Sequence, residues 1–240
     1  MEGDEHRAET LRALRQLCRG TANLTPSDDR HRLSLGVPAL DALLPHRGLE
    51  RGSLVEWLSP VAGSGAAILA LQGVRAALEQ QQVWAVVDST GEFHASAAEG
   101  WGVSLESLLL LRPATEADAL WTVEQCLRCP AVGLTWFRAE HIPDQVARRW
   151  KLAAEIGGGV GVLFRPETAA RRASWADVRW RVQPRATVRT TGRVVLVELV
   201  SCRGAFAGGS VELDVNDATG DVRLVSVVAG ATTAVRAAGA

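Results

Sequence analysis

The sequence predicts an α/β fold, a parallel sheet flanked by helices and extended by C-terminal antiparallel strands. Three observations carry that expectation. Between residues 53 and 165, five short apolar runs alternate with segments of helical periodicity. The runs are continuously apolar, as in strands buried on both faces. Beyond residue 165, strand-like segments follow one another with no helical segment between them, the pattern of hairpins. Parallel neighbours need long crossover connections, so helices between the first five runs call for a helix-covered parallel sheet.

Taken in order, residues 1–20 form an amphipathic helix, with Leu11, Leu14 and Cys18 at helical spacing among charged neighbours and Gly20 as a stop. Residues 21–32, with Pro26, Asp28 and Asp29, read as a linker. A helix tethered in this way can pack on its own domain or dock on a partner. The core spans 33–228. Its strands are expected at 54–58, 83–87, 108–111, 131–137 and 160–164, and its helices at 66–80, 93–100, 115–128 and 144–156, the last following Pro143. From about residue 175 the core is β-rich, with strands at 177–182, 193–202, 211–215 and 222–228. Residues 229–240 are small and weakly patterned, a flexible tail by composition.

A hydrophobic fraction of 47% over 240 residues is enough to bury the core of one domain. No apolar run approaches the roughly 18 residues of a membrane span. Met1-Glu2-Gly3-Asp4-Glu5 does not open a signal peptide, so a cytoplasmic protein without a membrane partner is expected. Cys18, Cys126, Cys129 and Cys202 follow no scaffold spacing and are expected as free thiols. The net charge of -1 gives no general attraction to nucleic acid, but nine arginines face three acids between Arg165 and Arg203. Lys151 is the only lysine.

The turn between the first apolar run and its helix is where a phosphate loop would sit. A working loop reads G-x-x-x-x-G-K-[ST]: glycines let backbone N–H groups wrap phosphates, lysine neutralises them, and the hydroxyl holds magnesium. Here Ser59, Gly63, Ser64, Gly65, Ala66 and Ala67 make a degenerate version. Gly65 or Ala66 stands at the lysine position and Ala66 or Ala67 at the hydroxyl position.

Leu33-x-Leu35-Gly36-x-Pro38-Ala39-Leu40-Asp41-x-Leu43-Leu44, followed by Gly48-Leu49-x-x-Gly52-Ser53-Leu54-Val55-Glu56, resembles the opening of the RecA core. Asp88, Gly102-Val103, residues 108–113 and Ala119-Leu120 follow in RecA order, so the likeness covers about 33–215. It implies a RecA-like core, and it also implies what is missing. RecA's water-orienting glutamate falls at Thr90, with Glu92 two places late. Its metal-supporting acid falls near Arg138, and its sensor glutamine at Arg165 or Pro166. With lysine and hydroxyl also gone, no ATP hydrolysis, catalytic residue, metal or cofactor is expected.

Among RecA relatives, the size, the Gly/Ala-rich dead loop and the shortened second half resemble the ImuA family. That resemblance implies a non-catalytic adaptor in SOS, DNA-damage-induced mutagenesis, nucleoid-associated when active. Its implied partners are ImuB, an inactive Y-family polymerase relative, an error-prone C-family polymerase for translesion synthesis, and RecA. Residues 1–20 and 229–240 are the candidate docking segments. One alternative is a weak ATP-binding enzyme that uses the backbone N–H groups of Gly63 and Gly65 with Arg75 or Arg138 in place of lysine. Another is a SulA-like cell-division inhibitor, which the arginine-rich β region and full opening motif disfavour.

Several motifs have a plainer reading beside the functional one. The loop 166–174 sits where RecA contacts DNA, which makes Arg165, Arg171, Arg172 and Trp175 candidate contacts for single-stranded DNA; the plainer reading is a solvated turn. Cys126-x-x-Cys129 has half the spacing of a zinc site, with His141 as the one other nearby ligand and no second pair. Asp88, Ser89 and His94 are triad residue types without a nucleophile elbow. Trp57, Trp84 and Trp136 lie in expected strands and read as core, whereas Trp150 and Trp175 are expected to be exposed and to serve at an interface.

Overall fold

The computed structural model describes residues 2–20, 32–61, 63–78, 82–186, 192–204 and 207–228. The expected linker, apart from Arg32, and the expected tail lie outside them. Helix α1 spans Glu2–Gly20; β1 (Arg32–Leu33), α2 (Pro38–Asp41) and β2 (Leu49–Glu50) lead into the core. There follow β3 (Leu54–Ser59), α3 (Ala66–Leu78), β4 (Val83–Val87), α4 (Ala95–Gly100), β5 (Leu108–Leu111), α5 (Glu116–Arg128), β6 (Val132–Arg138), α6 (Asp144–Gly157) and β7 (Val160–Pro166). A 3-10 turn, Glu167–Arg171, then leads to β8 (Val178–Arg185), β9 (Arg193–Cys202), β10 (Ser210–Val215) and β11 (Val222–Val228).

Nine strands form one sheet in the order β11-β10-β9-β8-β3-β7-β6-β4-β5. The antiparallel extension is present, but it begins one strand later than the sequence suggests. β8 runs parallel to β3, with Val55 beside Val178 and Trp57 beside Trp180, and only β9, β10 and β11 are antiparallel to their neighbours. The crossover from β7 to β8 contains the 3-10 turn and extended chain but no α-helix, so the usual sequence sign of a parallel connection is missing.

Local chemistry fixes the helices. Thr115 caps α5 by accepting from the Asp118 N–H at 3.1 Å while its hydroxyl donates to the Asp118 carboxylate at 2.7 Å. α6 starts after Pro143 and stops at Gly158, whose φ of 74° is left-handed and suits glycine. One face of the sheet packs under α3 and the 33–49 segment, around Leu33, Leu40, Trp57, Leu69, Trp84 and Trp180. The other packs under α5 and α6, around Val123, Cys126, Phe137, Trp150 and Leu163.

Two expectations change here. α1 does not stand apart: Leu14 joins the α5–α6 core, Arg7 pairs with Asp118 at 3.0 Å, and the Arg7 guanidinium lies over the Trp121 ring. Trp150 is fully buried, not exposed. Its Nε1 donates to the Leu120 carbonyl at 3.1 Å and its ring meets Phe137 edge-on. On α6 it shares the inward stripe with Ala153 and Ala154, while Arg148 and Arg149 point outward. Among the described residues no helix is long and apolar enough to cross a membrane.

Candidate functional site

Between β3 and α3 the chain makes the turn where phosphates would bind. Gly63 and Gly65 have φ of 74° and 95°, a region that a Cβ disfavours, and Ser64 is buried between them. The Leu69 N–H bonds to the Gly65 carbonyl and closes the first turn of α3. In front of this turn lies a cleft of about 590 Å³, lined by Ser59, Gly63 to Ala67, Thr90, Glu92, Arg138, Arg193 and Asp217 among others. It opens at the carboxyl ends of the parallel strands, the edge where open α/β sheets bind ligands.

No lysine reaches the cleft. Lys151 sits at the opposite end of β3, where its ammonium donates to the Gly52 carbonyl at 3.0 Å and pairs with Asp177 at 2.8 Å. Gly65 or Ala66 stands where a lysine would be needed, and Ala66 or Ala67 where a magnesium-binding hydroxyl would be. The cations present are arginines, and one of them is not suggested by the local sequence. Arg193, at the start of β9, crosses the mouth of the loop: a Cβ on Gly65 would lie 3.4 Å from its Cδ, and one on Gly63 would lie 4.0 Å from a guanidinium nitrogen. Its Nε donates to Asp217 at 2.8 Å.

The β10–β11 turn that carries Asp217 is itself fastened. Trp101 Nε1 donates to the Asp217 carbonyl at 2.9 Å and Gln72 Nε2 to the Gly220 carbonyl at 2.8 Å. Of the two arginines considered as substitutes for lysine, Arg138 lines the cleft, 3.7 Å from Glu92. Arg75 does not line it; it packs against Gly102 and donates to Gln72.

The acids are placed for structural work. Asp88 accepts from the N–H groups of Glu92 and Phe93 at 3.0 and 3.3 Å and pairs with Arg112 at 3.4 Å. Asp88, Ser89 and His94 line a neighbouring pocket of about 180 Å³, yet no hydrogen bond joins them among the described residues. No group of three His, Cys, Asp or Glu side chains is placed to hold a metal among those residues. Cys126 and Cys129 are buried beneath α1, where burial first, and Cys129 second, push the Cys126 thiol up. His141 is engaged by Arg172 at 3.1 Å instead.

The arginine-rich turn divides into a buried part and an exposed part. Arg165 leaves the candidate DNA surface: it is buried, and its guanidinium donates to Glu56 at 2.9 Å. Arg179 takes the other Glu56 oxygen at 2.7 Å and donates to the carbonyls of Ala169, Ala170 and Arg172, while Ser174 also donates to Glu56. The 167–174 backbone is therefore anchored from below. Arg171 and Arg172 remain exposed, and the half-buried Trp175 donates to Asp144 at 2.8 Å beneath the Arg148 guanidinium. A pocket at this turn shares Glu140 and Pro166 with the cleft, so the two features are neighbours.

The sheet and its flanking helices define a RecA-related α/β domain, and no lysine lies in its first strand–turn–helix, from Leu54 to Leu78. No family model matches the chain. It is 29% identical over 215 residues to Protein ImuA of Caulobacter vibrioides (strain NA1000 / CB15N), which covers 79% of this chain and 84% of that one. Protein RecA of Chlorobium chlorochromatii is 35% identical over 113 residues, 47% of this chain and 31% of that RecA. Protein RecA of Chlorobaculum parvum is 34% identical over 131 residues, 53% and 36% respectively. The match to ImuA thus spans most of both chains, and the RecA matches about a third of RecA. The chain is therefore similar to ImuA along most of its length and to RecA along about half of it.

Proposed function

We propose that this protein is a non-catalytic RecA-like adaptor in SOS, DNA-damage-induced mutagenesis. In this reading it supports error-prone translesion synthesis with an ImuB-like inactive Y-family polymerase and a C-family polymerase, at the nucleoid when active, with RecA as a further partner. The observation that carries the non-catalytic part is the loop. Gly65 or Ala66 stands where lysine would act and Ala66 or Ala67 where the hydroxyl would, and the Arg193–Asp217 pair lies across its mouth. Without lysine or a metal ligand, nothing on the loop can balance the charge that develops on a transferred phosphoryl group.

Such an adaptor works through surfaces. Arg171, Arg172 and Trp175, on a turn anchored by Arg179, are the proposed contacts for single-stranded DNA; Arg165 is not among them, since Glu56 neutralises it. Residues 229–240 are the proposed partner segment. The other candidate, residues 1–20, also covers α5, so its deletion uncovers core as well. The test is capture of purified ImuB-like polymerase, with ATP turnover measured on the same preparation. The expected result is capture without turnover, lost on deleting 229–240 with the melting transition unchanged. Turnover that rises with single-stranded DNA would sink the adaptor reading.

One observation favours a second reading, weak ATP binding: the cleft is retained and holds Arg138 and Arg193. Stabilisation by millimolar ATP in a thermal shift, in the absence of magnesium, would support it.

A further inference from the structure

Among the described residues the sheet ends at β11. β11 pairs with β10 on one side, and no described strand pairs with its other side. Natural edge strands are guarded by lysine, proline, shortness or a cover. β11 runs for seven residues, Val-Arg-Leu-Val-Ser-Val-Val, with Arg223 as its one charge. Its register places Val222, Leu224 and Val227 opposite Val215, Leu213 and Val211, all three buried in the core. Directly opposed residues share a face of the sheet, so these three side chains lie on the core face. Yet Leu224 and Val227 are 52% and 67% exposed, and Val225, the extra residue at the irregularity, is 52% exposed. The core layer that covers β10 reaches β11 only at Val222 and leaves Leu224 and Val227 uncovered among the described residues.

We infer that this edge is a self-association surface: a second copy of the chain pairs its β11 antiparallel to this one, about a two-fold axis normal to the sheet. The register itself argues for a second copy. The irregularity at Val225 puts Leu224 and Val227 on the same face although they are three residues apart. Setting Leu224 against Val227 of the second copy therefore matches core face to core face twice, once on each side of the axis. Sliding the strands to set Leu224 against its own copy would place apolar Val222 against Ser226, which lies on the polar face bonded to Glu212. The chosen register also keeps the two Arg223 side chains five positions apart. That is roughly 17 Å at about 3.4 Å per residue, well beyond the screening length of about 8 Å.

A seven-residue edge buries less than the roughly 1,200 Å² of a standard stable interface, so association is expected to depend on concentration in the micromolar range. Sedimentation velocity of the full chain from about 1 to about 100 μM should move from monomer to dimer. Leu224→Lys and Val227→Lys should each hold it monomeric, whereas Ile156→Lys, at an equally exposed apolar site on α6, should not. A bismaleimide cross-link through Val225→Cys, but not through Ile156→Cys, checks the same edge without adding charge to the strand. A wild type that stays monomeric throughout, or a dimer abolished by Ile156→Lys and indifferent to the β11 changes, overturns the inference.

Discussion

Glu56→Gln removes one negative charge from beneath the arginine-rich turn and should destabilise the whole domain. Glu56 is 2% exposed, and its oxygens accept from Arg165, Arg179 and Ser174 at 2.9, 2.7 and 2.7 Å. Without the carboxylate, two buried guanidinium groups lose their shared counter-ion. They are not equally affected. Arg179 keeps the carbonyls of Ala169, Ala170 and Arg172, whereas Arg165 Nε has no partner even in the intact protein, so Arg165 is the group left stranded.

Breaking a buried ion pair from one side costs about 3–5 kcal/mol. For a chain of this length each kcal/mol moves Tm by about 2–4 °C, so a fall of roughly 6–20 °C is expected. Urea unfolding and calorimetry at neutral pH measure the loss, and tryptic cleavage after Arg171 or Arg172 in the native state measures loosening of the turn. Adding Arg165→Met to Glu56→Gln should restore part of the stability, because the stranded charge is then gone. A loss below about 1 kcal/mol for the single change, or strictly additive losses for the pair, would refute the argument.

Gly157→Ala should cost about 3 kcal/mol in urea unfolding, as its Cβ would run into the Leu127 carbonyl and force α5 from α6. Gly158→Ala, with nothing near it but a left-handed φ of 74°, should cost about 1 kcal/mol. In the native protein a thiol reagent should modify Cys202 before Cys126 or Cys129. It should do so only at alkaline pH, because burial first, then Asp177 and Glu50, push the Cys202 thiol up; prior reaction of Cys126 would contradict the packing of α1 over α5. The Thr115 hydroxyl, and then Arg7, hold the Asp118 carboxyl below its ordinary 3.8. Its contribution is therefore complete above that value and lost as pH falls through the lower folded-state value. Melts of wild type and Asp118→Asn should converge as the pH falls below that ordinary value, and a gap that does not narrow on acidification would count against this.

What was legible in the sequence followed the range of the cause. A strand buried on both faces reads as a continuous apolar run, so β3 to β7 could be seen without knowing their neighbours. That no lysine lies between Ser59 and Ala67 is plain in the sequence, because it depends only on residue identity at local spacing. β8 was read as part of a hairpin because its crossover carries no helix. The expectation that Trp150 is exposed fails because successive helical residues point about 100° apart, so Trp150 faces inward beside an outward Arg149. Arg165 looked like surface charge because its counter-ion, Glu56, is 109 residues away. Arg193 escaped notice for the same reason: nothing near it in the chain suggests Gly63 and Gly65 as neighbours.

The residue types of the loop do not by themselves explain why the cleft is there. The hollow is produced by topology, since the ends of β3 and β6 diverge toward their helices whatever side chains they carry. The glycines at 63 and 65 are needed to turn the chain into α3 with or without a phosphate. What differs is how the far wall is held. Here Arg193, Asp217, Trp101 and Gln72 tie β9 and the β10–β11 turn to α3 and α4 with hydrogen bonds internal to the chain. With the wall fastened from within, no bound ligand is required to order it.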